Sequence, residues 1–347
     1  MKRVILLVAL VAVLAATAGC NWAPVISEKL PAQRNLTVNN GAVINFSVVA
    51  GDWNSDPLTY KWTASGGSPV SGTGQNFNWT AVELGKFTIT VAVSDEVWTT
   101  THSWNVEVVV FKDNFETGST GWTATGLWHR QINDGTIHNV AHPYYVALPM
   151  NDTSDGYIPY ANSGQYCFWY GSASGIGVRG NYMGTQADDS QYSGGTSVVS
   201  HSGTLTSPVI NLDNIEHPHL QFASWFEIEG YDPEDYDSMK VLISVNGGPY
   251  VGVGTLNPLM GGDTSANNIP YTTGGYDTPA YWEFRSYNLS AYVGQSIRVR
   301  FEFDTIDKFR NGFRGWFIDD VEITEGNLIN PAAKALNPVR VLAPKSR

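Results

Sequence analysis

Along much of the chain, apolar and polar residues alternate with a period of two. Phe87-Thr88-Ile89-Thr90-Val91-Ala92-Val93 does so without a fault, and Trp104-Asn105-Val106-Glu107-Val108-Val109-Val110 closes in the same way. Val43-Ile44-Asn45-Phe46-Ser47-Val48 and Leu58-Thr59-Tyr60-Lys61-Trp62 carry the same signal. Successive side chains of a strand leave opposite sides of the pleat, so this period predicts strands with one buried face. Clusters of Gly, Asn, Ser and Asp separate them, and the pattern predicts a β-sandwich from about Ala23 to Val110. A second unit, from about Phe111 to Thr324, has no long stretch of helical period. Its strands are Leu220–Phe226, Lys240–Val245 and Ile297–Phe303, with a hairpin turn at Asn246-Gly247-Gly248. An all-β unit of this size without repeats predicts a two-sheet jelly roll. The expected fold class is therefore all-β, an immunoglobulin-like sandwich followed by a larger jelly-roll sandwich.

The first twenty residues break the pattern. Lys2 and Arg3 precede an unbroken apolar run from Val4 to Leu14, too short for the ~20 residues that span a bilayer. Residues 1–19 therefore read as an export signal. Ala18-Gly19-Cys20 resembles a bacterial lipobox, although Thr17 stands where that motif has Leu; Ala16-Thr17-Ala18 also fits an ordinary signal-peptidase site cleaved before Gly19. The lipobox implies lipidation of Cys20 and membrane attachment through that lipid, at the outer surface or outer membrane; the other reading implies secretion. Lipidation would leave Cys167 alone, with no disulfide. In Gln165-Tyr166-Cys167-Phe168-Trp169-Tyr170 it reads as a small buried strand residue rather than a reactive thiol.

Composition narrows the function classes. Charged residues are 15% of the chain, against about 25% in ordinary soluble domains, while aromatics reach 12% and Gly and Pro number 35 and 17. That balance disfavours both a helical protein and disorder, because large apolar side chains can offset ordering entropy once buried. The formal charge of −12 argues against nucleic acid as a partner, since phosphates need a basic face. Loss of Lys2 and Arg3 with the signal makes the remainder more acidic still.

In the first unit, Ala50-Gly51-Asp52, Asp56-Pro57-Leu58-Thr59-Tyr60-Lys61-Trp62 and Gly85-Lys86-Phe87-Thr88-Ile89-Thr90-Val91-Ala92-Val93-Ser94-Asp95 resemble the PKD-like and cadherin-like immunoglobulin modules of bacterial surface proteins. The resemblance spans nearly all of residues 20–110 and implies a spacer or adhesive stalk. Within it, Asp52-Trp53-Asn54-Ser55-Asp56 reads either as an Asx-rich turn or as oxygen ligands for a hard cation.

The second unit, residues 111–325, opens with Asp113-Asn114-Phe115-Glu116 and Gly121-Trp122. It carries Leu205-Thr206-Ser207-Pro208 and Leu289-Ser290-Ala291-Tyr292-Val293-Gly294-Gln295, and closes with Gly315-Trp316-Phe317-Ile318-Asp319-Asp320-Val321-Glu322-Ile323. This series resembles the MAM-like, or choice-of-anchor J, jelly rolls, related to cleaved-adhesin modules and to the C-terminal domains of immune inhibitor A-type peptidases. The resemblance implies a structural Ca²⁺ between the first and last strands, with Asp113, Glu116, Asp319 and Asp320 as candidate ligands; a plain hydrogen-bonded network is the alternative. Neighbours in a strand face opposite sides, so Asp319 and Asp320 can share a site only through a bulge.

Other residues keep their readings open. Glu227, Glu229, Asp232, Glu234, Asp235 and Asp237 form a run without a cation; Glu229, Asp232, Asp235 and Asp237 are candidates for a second cation site, and a solvated loop is the alternative. Glu227-Ile228-Glu229-Gly230-Tyr231-Asp232 departs from the carboxylate pattern of sandwich-fold glycanases, so a hydrolase built on this loop is the secondary expectation. His138 and His142 have metalloprotease spacing, but Asn139 stands where a Glu base is needed. Tyr144, Tyr145, Tyr231 and Tyr276 lie in polar loops and are candidates for ligand contact, with an apolar face and a hydrogen-bonding tip. Residues 326–347 read as a basic, disordered tail. The expected function is a non-enzymatic surface protein that binds a glycan or another surface protein; a hydrolase and a purely structural envelope component are the competing classes.

Overall fold

The computed structural model describes residues 21–132, 161–172, 182, 197–229, 236–256, 271–272, 282–309, 311 and 315–326. The chain divides into two compact units, Met1–Val109 and Val110–Arg347.

The first unit contains β1 (Val25–Leu30), β2 (Asn35–Asn39), β3 (Val43–Gly51), β4 (Thr59–Ala64), β5 (Ser71–Thr73), β6 (Asn76–Thr80), β7 (Gly85–Ser94) and β8 (Thr99–Val109). One sheet has the order β1-β3-β6 and the other β2-β8-β7-β4-β5. All pairs are antiparallel except β2 with β8. The alternation in β7 does what its period requires: Ile89, Val91 and Val93 are buried and the intervening residues are not.

Aromatic rings fill the space between the sheets. Trp62 stacks on Phe77 at 5.4 Å and lies 5.8 Å from Trp104, which meets Phe46 at 5.1 Å. A buried indole N–H needs an acceptor. Trp62, Trp79 and Trp104 donate to the carbonyls of Gly74, Gly66 and Pro31, each at 2.8 Å, so each core ring also pins a loop. Gly67, at φ +74°, lies so close that a Cβ would sit 2.3 Å from the Trp79 ring. The unit also has two distinct poles. The starts of β1, β4 and β8 and the ends of β3 and β7 meet at one, and β8 leaves at the other.

The second unit contains β9 (Phe111–Asp113), β10 (Thr123–Ala124), β11 (Trp128–Ile132), β12 (Tyr166–Tyr170), β13 (Ser202–Thr206), β14 (Ile210–Asn211), β15 (Pro218–Ile228), β16 (Ser238–Val245), β17 (Tyr250–Thr255), β18 (Tyr271–Thr272), β19 (Glu283–Asn288), β20 (Ser296–Asp304) and β21 (Gly315–Glu325). One antiparallel sheet runs β10-β13-β20-β16-β17, with β14 beside β20. The other runs β11-β12-β21-β15-β18, with β19 beside β15 and β9 beside β21. The all-β sandwich expected from the sequence is the fold observed. His217 leads directly into β15, which begins at Pro218. In the β16–β17 connection, Asn246 and Gly247 both take positive φ at the centre of a tight turn closed by the Gly248 N–H on the Val245 carbonyl at 2.8 Å.

The two sheets meet through Phe222–Phe301 at 4.9 Å, Trp316–Phe301 at 5.8 Å and Tyr170–Phe303 at 4.4 Å. The sheet containing β12, β21 and β15 is also buried on its other face. There Trp169, Trp225 and Phe317 pack with Cys167, Ala223 and Trp282. This is why Phe222–Phe226 shows no alternation of burial. Cys167 is fully buried, as its apolar surroundings predict.

Candidate functional site

The last strand carries two adjacent acids. The β15–β21 ladder slips between Gln221, which faces Glu322, and Ala223, which faces Asp319. β21 thus has one residue more than β15 there, and Asp320 takes φ +47°. This bulge turns both carboxylates toward one segment, residues 162–163, which precedes β12. The Ser163 N–H donates to Asp319 Oδ2 at 3.1 Å, and the Ser163 hydroxyl to Asp320 Oδ1 at 2.7 Å. Asn162 Nδ2 donates to Asp320 Oδ2 at 2.6 Å. Asp319 Oδ1 accepts the N–H of Asp320 at 2.7 Å.

Glu116 holds the other end of the same segment. Its Oε1 accepts the N–H groups of Gln165 and Tyr166 at 2.9 and 2.8 Å. Gly164, at φ +61°, leaves room for that carboxyl: a Cβ would lie 2.2 Å from Glu116 Cδ. Arg130 orders the turn that presents Glu116, donating to the carbonyls of Phe115 and Glu116, and its guanidinium lies 3.3 Å from the centre of the Tyr166 ring.

The four acids expected at one clamp do not converge. Asp113 pairs with Val321 across β9–β21, which brings the strand alongside. Its carboxylate, however, is engaged by the Phe115 N–H and by Trp122 Nε1, both at 2.8 Å. Among the described residues no three His, Cys, Asp or Glu side chains form a metal-holding group. Asp319, Asp320 and Glu116 instead engage successive donors of residues 162–166, while Asp113 engages donors of its own segment.

The electrostatics single out Asp319. Burial pushes its carboxyl up to about 9, with Asp320 adding to the rise and the N–H donors of Ser163, Asp320 and Asn162 opposing it. Burial also raises Asp113, against the hydrogen bonds from Phe115 and Trp122. Beside the Asp319–Asp320 pair, the buried Asn162 Oδ1 has no hydrogen-bond partner. Two carboxylates and an unpartnered amide oxygen form an all-oxygen donor set, the chemistry that hard cations take.

The second acidic cluster is only partly described. Glu229 and Asp237 are 3% and 0% exposed. The Tyr182 hydroxyl donates to Asp237 Oδ2 at 2.7 Å, and the Glu229 N–H to the same oxygen at 2.6 Å. Burial raises the Asp237 carboxyl well above its ordinary value, and the charge of Glu229 adds to the rise. A relay continues from Tyr182. Its carbonyl can only accept, so His201 Nε2 donates to it at 2.7 Å and Nδ1 accepts the Tyr170 hydroxyl at 2.9 Å. Burial lowers His201 and raises Tyr170. Tyr182, His201 and Tyr170 carry no sequence signal for this role, being dispersed along the chain. Asp232, Asp235, Tyr231, Tyr144, Tyr145, Tyr276, Cys20, His138 and His142 lie outside the described residues.

In the first unit, Asp52 Oδ1 accepts the N–H groups of Asn54 and Asp56 at 2.7 and 3.3 Å. This is the hydrogen bonding of an Asx turn, one of the two readings the sequence left open.

No curated protein matches the chain. Several solved structures do. The PKD1 domain of Vibrio anguillarum Epp is 21% identical, with a TM-score of 0.20, covering 25% of this chain and 95% of that one. The fibronectin(III)-like modules of Clostridium thermocellum CbhA are 19% identical, with a TM-score of 0.21, covering 25% and 46%. The CBM51-2 and INT domains of Clostridium perfringens ZmpB are 11% identical, with a TM-score of 0.22, covering 85% of this chain and 48% of that one. Scores this low carry no argument about function. The family match is the firmer finding: residues 29–108 match the PKD domain, so the first unit is similar to modules of that family.

Proposed function

We propose that the protein is an exported, lipid-anchored surface binding or adhesion protein and not an enzyme. In this reading Cys20 carries the lipid, and the PKD-like unit is a spacer. The second unit, a MAM-like or choice-of-anchor J jelly roll, binds a glycan or a surface protein. The PKD match over residues 29–108 carries the proposal, because such modules commonly occur in cell-surface adhesion and binding proteins. The poles of the first unit support it: the chain enters at one end and leaves at the other, as a spacer must.

Calcium would be held by Asp319 and Asp320 with the amide oxygen of Asn162. It would supply the positive charge that two adjacent, sheltered carboxylates lack, joining the last strand to the turn before β12. Asp113 and Glu116 would support the turn without touching the ion.

A hydrolase built on the 227–237 segment is the weaker reading. Asp237 has the raised carboxyl of a general acid, but it is fully buried and its oxygen is committed to Tyr182 and Glu229. A glycan array run beside a pull-down from envelope extracts tests the proposal. Saturable capture of one ligand class by the second unit supports it; silence in both, or turnover of a glycan or peptide, overturns it.

A further inference from the structure

The first unit buries three of its tryptophans and exposes three others, and the exposed ones all lie at one pole. Trp22 is 62% exposed, Trp53 82% and Trp98 53%, with Val25 at 51% and Val97 at 66% beside them. Trp22 precedes β1, Trp53 lies between β3 and β4, and Val97 and Trp98 form the β7–β8 hairpin. Hydrogen bonds gather these segments. The Trp22 N–H donates to Asn54 Oδ1 at 3.2 Å, joining the start of the chain to the Trp53 loop. The Thr100 hydroxyl donates to the carbonyl of Pro24 at 2.5 Å, joining it to β8. Asp95 Oδ1 accepts the N–H groups of Val97 and Trp98 at 2.9 and 2.6 Å and holds the hairpin tip.

Core packing does not account for these rings: a large indole left in water forgoes the burial that stabilises Trp62, Trp79 and Trp104. An amphipathic ring with an N–H tip is suited to the boundary between acyl chains and headgroups. The sequence names a neighbour of that kind. Trp22 lies two residues after Cys20, a span of at most about 7 Å. With Trp22 tied to Asn54, almost no slack separates the lipid-bearing residue from the folded pole.

We infer that this tryptophan pole rests in the interface of the lipid bilayer to which Cys20 is attached, with Trp53 and Trp98 inserted at headgroup depth. The inference builds on the lipidation proposed above. The charge at the pole specifies the lipid. Asp52, Asp56, Asp95 and Glu96 lie in the two loops, and residues 21–25, 52–58 and 94–99 contain no Lys or Arg. Attachment is therefore apolar, favouring a zwitterionic surface over an anionic one.

The test uses the mature chain reconstituted through its own lipid into phosphatidylcholine vesicles with brominated acyl chains. Tryptophan emission should be quenched, and most of that quenching should disappear in the Trp53→Ala/Trp98→Ala double variant while its melting temperature is unchanged. Equal quenching in both proteins overturns the inference. A companion chain with Cys20→Ser, carrying no lipid, should partition weakly into the same vesicles. Its partition should fall about tenfold in the double variant and fall also when phosphatidylglycerol is added. Mass measurement of the N-terminal peptide separates the two premises. If Cys20 carries no lipid, the anchor reading fails, and the partition of the unlipidated chain alone decides the pole. Capture by an insoluble polysaccharide through Trp53 and Trp98, with no response to vesicles, would make the pole a glycan platform and overturn the inference.

Discussion

The second unit holds two acid pairs, and it treats them differently. Asp319 and Asp320 are strand neighbours turned by a bulge onto one segment, next to an amide oxygen without a partner. Glu229 and Asp237 lie between β15 and β16, where Asp237 accepts from a tyrosine hydroxyl and a backbone N–H. The first pair takes its donors from one turn and keeps Asp320 partly exposed, whereas Asp237 is fully buried beneath its donors. Burial alone therefore does not mark a binding site. What distinguishes the two is access from solvent, which Asp320 keeps and Asp237 lacks.

The largest expected effect separates the pairs by mutation. Asp237→Ala leaves the buried Tyr182 hydroxyl and Glu229 N–H without their shared acceptor, and it should destabilise the second unit by about 3 kcal/mol. Denaturant unfolding checks this, and the loss should be the same with calcium or with chelator. A smaller loss with chelator than with calcium would assign a cation to this pair as well.

Calcium removal comes next. A ligand present at a hundred times its dissociation constant stabilises by about 2.7 kcal/mol. Chelator should therefore lower the melting temperature of the second unit by several degrees, and Asp320→Asn should abolish that response. Unchanged calorimetric traces, with no calcium found by metal analysis, would leave the Asp319–Asp320 pair a hydrogen-bonded network.

The smallest effect is a pH slope from Asp237. Its folded carboxyl is raised well above the ordinary value by burial, then by Glu229 and Asp307, against the Tyr182 and Glu229 donors. Between that ordinary value, near 4, and its raised one, the folded protein holds a proton that the unfolded chain has released. Stability therefore falls as pH rises through this window, by no more than about 1.4 kcal/mol per pH unit for one proton. Asp237→Asn, which keeps an acceptor for Tyr182, should remove the Asp237 share of the slope in unfolding titrations at pH 5, 6 and 7, leaving the share of Asp319, whose carboxyl is raised to about 9. An equal slope in the variant would assign the dependence elsewhere.

The legibility of the molecule follows the range of its interactions. β7 could be read residue by residue, because the period of a half-buried strand is local. β15 is legible as a strand but not in its facing: its sheet is covered on both faces, so Phe222–Phe226 lacks the alternation that would tell its two sides apart. The acids of the last strand were visible, and so was the condition for their meeting. Their partners were not. Ser163 reaches Asp320 across 157 positions, and nothing in Ala161-Asn162-Ser163-Gly164-Gln165 distinguishes it from any other polar turn. The relay from Tyr170 through His201 to Tyr182 was hidden for the same reason.

By itself, then, the sequence determined the all-β class, the strand periods and the similarity of the first unit to PKD modules. Each of these depends on neighbours or on a nearly contiguous segment. Tertiary structure alone decided which acids share a partner, which tryptophans are core and which form a pole. Those outcomes depend on a one-residue slip in a ladder and on loops meeting at a sandwich end. A bulge reverses the facing of a side chain without leaving a required residue type behind, so only the folded chain records it.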